Sequence, residues 1–304
     1  MDDRRAPQRR LALQLLVALE EQLGSAGAPR LGLTGAPGAG KSTLLDVLIR
    51  RLRQRGETVG VLAVDPSSHR TGGALLGDRI RLRGRPGDAG LFIRSLAARD
   101  QLGGLAESTR ASALVLAAAF DLVWIETVGV GQSEGEVADL VDSLVLVAQP
   151  GSGDLLQFMK AGVLELPDVI AMNKADLGPS AERSARELEA GLRLGERRED
   201  WTPPVVLLSA RDGSGIDELE AALQRHRCWL AEGERLARRR RQSRDAAVLG
   251  QLQRRYGSHG IERLGGLQAV EARLREQPDA SGFALAEQLG HEIEAMLAKP
   301  RGGP

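Results

Sequence analysis

Within nine positions, Gly35-Ala36-Pro37-Gly38-Ala39-Gly40-Lys41-Ser42-Thr43 brings together flexible backbone, a primary amine and two hydroxyls. The spacing G-x-x-x-x-G-K-[ST] suits a phosphate chain. Gly35, Gly38 and Gly40 reach backbone conformations closed to other residues, so successive N–H groups can turn inward on an anion. Lys41 offers a mobile cation to β- and γ-phosphates, and the Ser42 hydroxyl is placed to ligate Mg²⁺. The flanks decide whether this is a site. Arg30-Leu31-Gly32-Leu33-Thr34 before the loop reads as a strand, and Leu44 through Leu52 after it carries the apolar spacing of a helix. Strand, glycine loop and helix together make the pattern a nucleoside triphosphate site, with the helix N-terminus adding its positive dipole end.

Three later runs end in residues that complete such a site. Thr58 through Val64 is an apolar strand stopped by Asp65, whose carboxylate could act on Mg²⁺ or on attacking water. A βαβ unit is expected to set this strand beside the P-loop strand, with Asp65 at the carboxyl end where ligands of open α/β sheets bind. Asp121-Leu122-Val123-Trp124-Ile125-Glu126 has the shape of a Walker B strand, with glutamate in place of the commoner aspartate. Gly129 follows three positions on, where its N–H can swing onto a γ-phosphate, and Gln132 joins Asp65 as a candidate to position water. Val169 through Met172 leads into Asn173-Lys174-Ala175-Asp176, which matches the guanine reader N-K-x-D. Asp176 can accept from guanine N1–H and the exocyclic amine, Asn173 braces the loop, and the Lys174 stem covers the ring. Ser209-Ala210-Arg211, after Val205 through Leu208, fits the companion loop whose backbone meets the guanine carbonyl. GTP with Mg²⁺ is the expected pair.

These residues need a scaffold, and the chain supplies one. Apolar runs alternate with helical sequence over residues 30–228, which predicts an α/β P-loop NTPase with a mainly parallel sheet flanked by helices. Leu11, Leu15, Leu16, Leu19 and Leu23 predict a packing helix in an N-terminal extension, 1–29. A helix beginning at Gly215 is expected to run on into the basic stretch Arg235-Leu236-Ala237-Arg238-Arg239-Arg240-Arg241, read as a solvated face or an interface. Helical sequence continues over 229–304, with breaks near Gly257–Gly260, Gly265-Gly266 and Gln277-Pro278. The 41 basic side chains balance 41 acidic ones, which gives no general argument for nucleic acid or an anionic membrane. The lone Cys228 excludes an intramolecular disulfide, and the four scattered histidines lack metal-ligand spacing. With no apolar run long enough to span a bilayer, a cytoplasmic protein is expected.

Ala63-Val64-Asp65-Pro66-Ser67-Ser68, Thr71-Gly72-Gly73, Leu76-Gly77-Asp78 and Glu126-Thr127-Val128-Gly129-Val130-Gly131-Gln132-Ser133-Glu134 resemble the switches of the MeaB/ArgK/MMAA family of SIMIBI-class GTPases. The likeness runs from about residue 30 to 215. It implies that Ser42, Asp65, Asp78 and Glu126 surround Mg²⁺ and the switches. It further implies a homodimer formed by the C-terminal helices and slow GTP hydrolysis accelerated by a partner. That partner is an adenosylcobalamin-dependent acyl-CoA mutase, methylmalonyl-CoA mutase above all, whose cofactor loading the GTPase gates and which it protects. The loop 149–162 resembles the family's third switch but departs from it at Phe158-Met159, where a glycine and a branched aliphatic are expected. Two other readings stand beside this one. A nickel or cobalt delivery GTPase would carry cysteine or histidine clusters. An ATP-dependent kinase of an amino-acid transport system would use ATP, against which Asp176 should discriminate.

Overall fold

Short runs of valine, leucine and isoleucine build the centre of the molecule. In the computed structural model, which describes residues 6–24, 26–65, 87–97, 104–127, 133–151, 165–194 and 200–298, they form a seven-stranded sheet in the order β3-β2-β4-β1-β5-β6-β7. The strands are β1 (Arg30–Thr34), β2 (Val59–Asp65), β3 (Leu91–Ala97), β4 (Leu122–Thr127), β5 (Ser143–Ala148), β6 (Val169–Met172) and β7 (Val205–Leu207). Every neighbouring pair is parallel. The helices are α1 (Ala6–Leu23), α2 (Lys41–Gln54), α3 (Gly104–Ala119), α4 (Ser133–Ala138), α5 (Pro179–Leu194), α6 (Ile216–Ala231), α7 (Arg235–Arg263), α8 (Leu267–Glu276) and α9 (Gly282–Ala298).

A parallel sheet is covered on both faces, so its strands need apolar residues in continuous runs. β4 shows how the two-residue period divides them. Leu122 and Trp124 join the core formed with Leu44, Leu45 and Leu48 of α2 and Leu219 and Leu223 of α6. Val123 and Ile125 point the other way, into a core with Ala113 and Leu116 of α3 and Val137 of α4. Farther along, Ile170 and Met172 of β6 pack on Leu188 of α5.

Two expectations require correction. β2 does not lie beside the P-loop strand, because β4 is inserted between them, pairing Leu33 with Glu126 on one side and Ala63 with Glu126 on the other. All six β4 residues are buried, and this central slot is where its apolar run Leu122 through Ile125, indole included, buries most surface. Nor does the helix from Gly215 run into the basic stretch. Glu232 turns extended (φ −75°, ψ 127°), Gly233 takes φ +60°, and α7 starts anew.

Two arginines of the basic stretch face inward, while Arg238 is exposed. Arg239 makes a bidentate pair with Asp168 (2.8 and 2.7 Å), and Arg240 another with Asp142 (2.9 and 2.7 Å). Asp142 also accepts from the Arg30 backbone N–H (2.9 Å). Burial alone would raise the Asp142 pKa, but the Arg240 hydrogen bonds and the Arg30 and Arg240 charges reverse this and leave it at about 2. Arg244, buried in α7, donates to the carbonyls of Leu274, Gln277, Pro278 and Ala280 at and beyond the end of α8, satisfying acceptors a helix terminus leaves open. α7 breaks at Gly257 (φ 65°, ψ −171°), and α7, α8 and α9 share a core that includes Val248, Leu252, Val270 and Leu289. α1 packs through Leu16 against Ala111 of α3 and Phe283 of α9, while Leu11 and Leu15 are exposed. No described helix is long and apolar enough to cross a membrane.

Candidate functional site

The carboxyl ends of β1, β4, β5 and β6 converge on one edge of the sheet, and the sequence-predicted residues that the structure describes gather there. β1 passes through Thr34 into the glycine loop, and α2 opens at Lys41 behind Gly40, which sits at φ +94°. Gly35 must be glycine on two counts. Its φ is +141°, and a Cβ there would run into the Val147 carbonyl of β5. Lys41 is buried and donates from Nζ to the carbonyls of Gly35 (2.7 Å) and Ala36 (3.0 Å), folding its ammonium back over the loop. Ser42 Oγ donates to Glu126 Oε1 at 2.7 Å. Glu126 is buried, at 6 % exposure, at the end of β4. Thr127 Oγ1 donates to Thr34 Oγ1 (3.1 Å), a buried bond tying the Walker B strand to the P-loop strand.

The base end of the site is a separate cluster, locked to the phosphate end by one amide. Asn173 is buried; its Nδ2 donates to the Ala39 carbonyl (2.8 Å) and its Oδ1 accepts from Ala210 N–H (3.0 Å). Its own N–H donates to the Ala148 carbonyl (2.8 Å). Lys174 follows in the left-handed region at φ 65°, and the Ala175 N–H donates to the Leu208 carbonyl (3.0 Å). The Lys174 ammonium donates to Gln149 Oε1. Asp176 accepts from Ser209 Oγ on Oδ1 (2.9 Å), with Arg211 Nη1 3.9 Å from Oδ2 on a side chain that is mostly exposed. Beyond it Asp212 accepts from Ser214 N–H (2.9 Å) and Oγ (2.7 Å), which hold its pKa below the ordinary carboxylate value and close the companion loop.

Thus Gly35 through Thr43, Glu126, Asn173, Lys174, Asp176, Ser209, Ala210 and Arg211 are brought together along one edge. Asp65 ends β2 one strand farther out than expected, past β4, and its side chain lies outside the described residues. Asp78, Gly129, Gln132 and Phe158-Met159 lie outside them as well. Three residues at the site were given no individual role in the sequence: Thr34, Thr127 within the second-switch stretch, and Gln149 at the start of the third-switch loop. Their signal was faint, since each is a polar residue closing or following an apolar strand.

Mg²⁺ is a hard cation that takes oxygen donors. A hydroxyl and a buried carboxylate in hydrogen-bond contact at the phosphate end are a donor pair that fits it. Among the described residues, no group of three or more His, Cys, Asp or Glu side chains is placed to hold a metal ion.

The chain's sequence matches, over residues 1–259, the family model described as methylmalonyl Co-A mutase-associated GTPase MeaB. A probable GTPase of Mycobacterium tuberculosis is 46% identical over 250 residues, covering 81% of this chain and 74% of that protein. The mitochondrial methylmalonic aciduria type A homolog of Mus musculus is 42% identical over 245 residues, covering 77% of this chain and 58% of that one. Among solved structures, a LAO/AO transport system kinase superposes with a TM-score of 0.66 at 30% identity, over 96% of this chain and 90% of that chain.

Proposed function

The chain belongs to the MeaB family of P-loop GTPases, and we propose that its GTPase cycle gates and protects an adenosylcobalamin-dependent acyl-CoA mutase, methylmalonyl-CoA mutase in the first place. The observation that carries this reading is the Asn173 staple. One buried amide holds the Ala39 carbonyl of the phosphate loop and the Ala210 N–H of the base loop together. Both ends of a guanine nucleotide then meet a single rigid unit, as a switch requires. The partner is taken from the family description and from the mouse relative's association with methylmalonic aciduria.

In this reading the inward N–H groups of 35–40 and the α2 N-terminus neutralise the phosphate chain. Lys41 leaves the Gly35 and Ala36 carbonyls to meet the β- and γ-phosphates, where it holds charge as water attacks in line. Ser42 and Glu126 would hold Mg²⁺, which supplies charge neutralisation at the phosphates. Asp176 accepts the guanine edge, Ser209 orients that carboxylate, and Ala210 and Arg211 lie in the loop beside it. The transport-kinase reading, suggested by the name of the solved relative, predicts preference for ATP, which Asp176 is placed to disfavour.

The decisive measurement is GTP turnover by the purified chain with and without methylmalonyl-CoA mutase. Turnover accelerated by roughly tenfold or more, and not by an unrelated acyl-CoA enzyme, is expected from a partner that completes a slow site. A rate indifferent to every cobalamin-dependent acyl-CoA mutase offered overturns the proposal.

A further inference from the structure

Among the described residues, Lys174 is the only one other than glycine with positive φ, a conformation an L-residue adopts at a cost of roughly 1–2 kcal/mol. Its backbone is held on both sides, by Asn173 N–H on the Ala148 carbonyl (2.8 Å) and by Ala175 N–H on the Leu208 carbonyl (3.0 Å). A fixed backbone does not fix a lysine, whose stem keeps several rotatable bonds. What fixes the far end is Gln149, the first residue after β5, whose Oε1 accepts from Lys174 Nζ. β5 and β6 are adjacent and in register from Val145–Val169 to Ala148–Met172, so Gln149 and Lys174 leave the sheet side by side.

We infer that Gln149 is a positioning residue for guanine-nucleotide binding, and that it acts on the base site through Lys174. With Nζ tethered to the amide, the four-carbon stem lies stretched over the base-reading loop as a preformed wall, and the nucleotide does not have to order it. Without the tether, the stem's rotamer freedom must be lost on binding. Its bond is to Lys174, so its effect is expected at the base end. The inference rests on the assignment of Asn173 through Asp176 as the guanine reader.

The test is a set of titrations with fluorescent GDP and GTP on the full chain. Gln149→Ala should weaken both nucleotides to a similar degree, by roughly tenfold, with an unchanged melting temperature. Gln149→Glu, which keeps an acceptor for the ammonium, should bind within about twofold of the parent. In a Lys174→Met background, Gln149→Ala should cost much less, since the bond to the ammonium is already gone. An unchanged affinity for Gln149→Ala overturns the inference, and so does an equal loss with and without the Lys174 ammonium. Asp176→Asn in the same assay separates the two levels. If that variant exchanges GTP for xanthosine triphosphate while Gln149→Ala is silent, the base site stands and the role of Gln149 falls. If Asp176→Asn leaves the nucleotide preference untouched, the guanine reader itself is misassigned.

Discussion

Asn173 is the most consequential single side chain at the site, and Gly40 is the residue that gives it room. A Cβ at Gly40 would overlap Asn173 Nδ2, and Gly40 also holds φ +94°. The amide cannot swing aside, because both of its ends are engaged, on the Ala39 carbonyl at 2.8 Å and the Ala210 N–H at 3.0 Å. Gly40→Ala should therefore displace the staple as well as strain the loop, costing together about 2–3 kcal/mol of nucleotide affinity, or roughly a hundredfold in Kd. Calorimetric titration with GDP reads this directly. In an Asn173→Ala background the overlap is gone, so the further cost of Gly40→Ala should shrink to the backbone strain alone. An equal cost in both backgrounds would show that the glycine matters for its φ and not for Asn173. This kind of residue is legible in sequence because its chemistry is local. N-K-x-D, the glycine loop and Glu126 each announce themselves within a few positions. Gln149 does not, since a glutamine after a strand has no signature until β5 and β6 are seen to lie together.

At the scale of elements, the structure departs from what a reading along the chain supplies, and α7 is the clearest case. Arg238, Arg239, Arg240 and Arg241 form an unbroken run that looks uniformly solvated, yet Arg239 and Arg240 find their partners far away in sequence, at Asp168 and Asp142. The helix presents Arg239 and Arg240 to the amino ends of β6 and β5, and leaves Arg238 exposed. The order of strands was hidden for the same reason. A βαβ unit predicts that β1 and β2 are near each other, but the insertion of β4 between them is decided by burial across the whole sheet. Strand and helix identities, set by local periodicity, were legible nearly throughout. The clamp predicts unequal arginines. Arg240→Ala leaves Asp142, only 3 % exposed, with Arg30 as its remaining charged partner at 3.3 Å. Stranding a buried charge in this way costs about 3 kcal/mol, whereas Arg238→Ala should fall within about 0.5 kcal/mol of the parent. Urea denaturation followed by circular dichroism compares them, and similar midpoints for the two variants would refute an inward-facing clamp.

For the molecule as a whole, the same junction sets its response to acid. His226 of α6 is fully buried, with Ser143 Oγ 2.7 Å from Nδ1 and Asp168 Oδ1 3.3 Å from Nε2, and it packs against Trp201 and Trp229 at ring-centroid distances of 4.8 and 5.5 Å. Burial lowers its pKa to about 4; Asp168 pulls the other way but is already held by Arg239, which itself disfavours a second positive charge. In the unfolded chain the same imidazole titrates near its ordinary value of about 6.5. Between those values the unfolded chain binds the extra proton, so stability is full above about pH 6.5 and declines as pH falls towards 4, by about 3 kcal/mol. Asp142 extends the decline. Its folded pKa of about 2 lies below the ordinary carboxylate value of 3.8, so its contribution is present above that value and is lost as pH drops through the remaining range. The sheet and its C-terminal helices should thus loosen together in two acid steps, both located where α6 and α7 meet the amino ends of β5 and β6. Urea midpoints measured from pH 7 to pH 3 should show a steep fall between 6.5 and 4 in the parent chain. His226→Gln, which cannot take up a proton in this range, should begin lower at pH 7 but stay nearly flat across that window, then fall below pH 4 as the parent does. If the variant keeps the parent's slope between 6.5 and 4, the titration that unfolds the protein belongs to other groups, and the buried histidine is no more than a packing element beneath its two tryptophans.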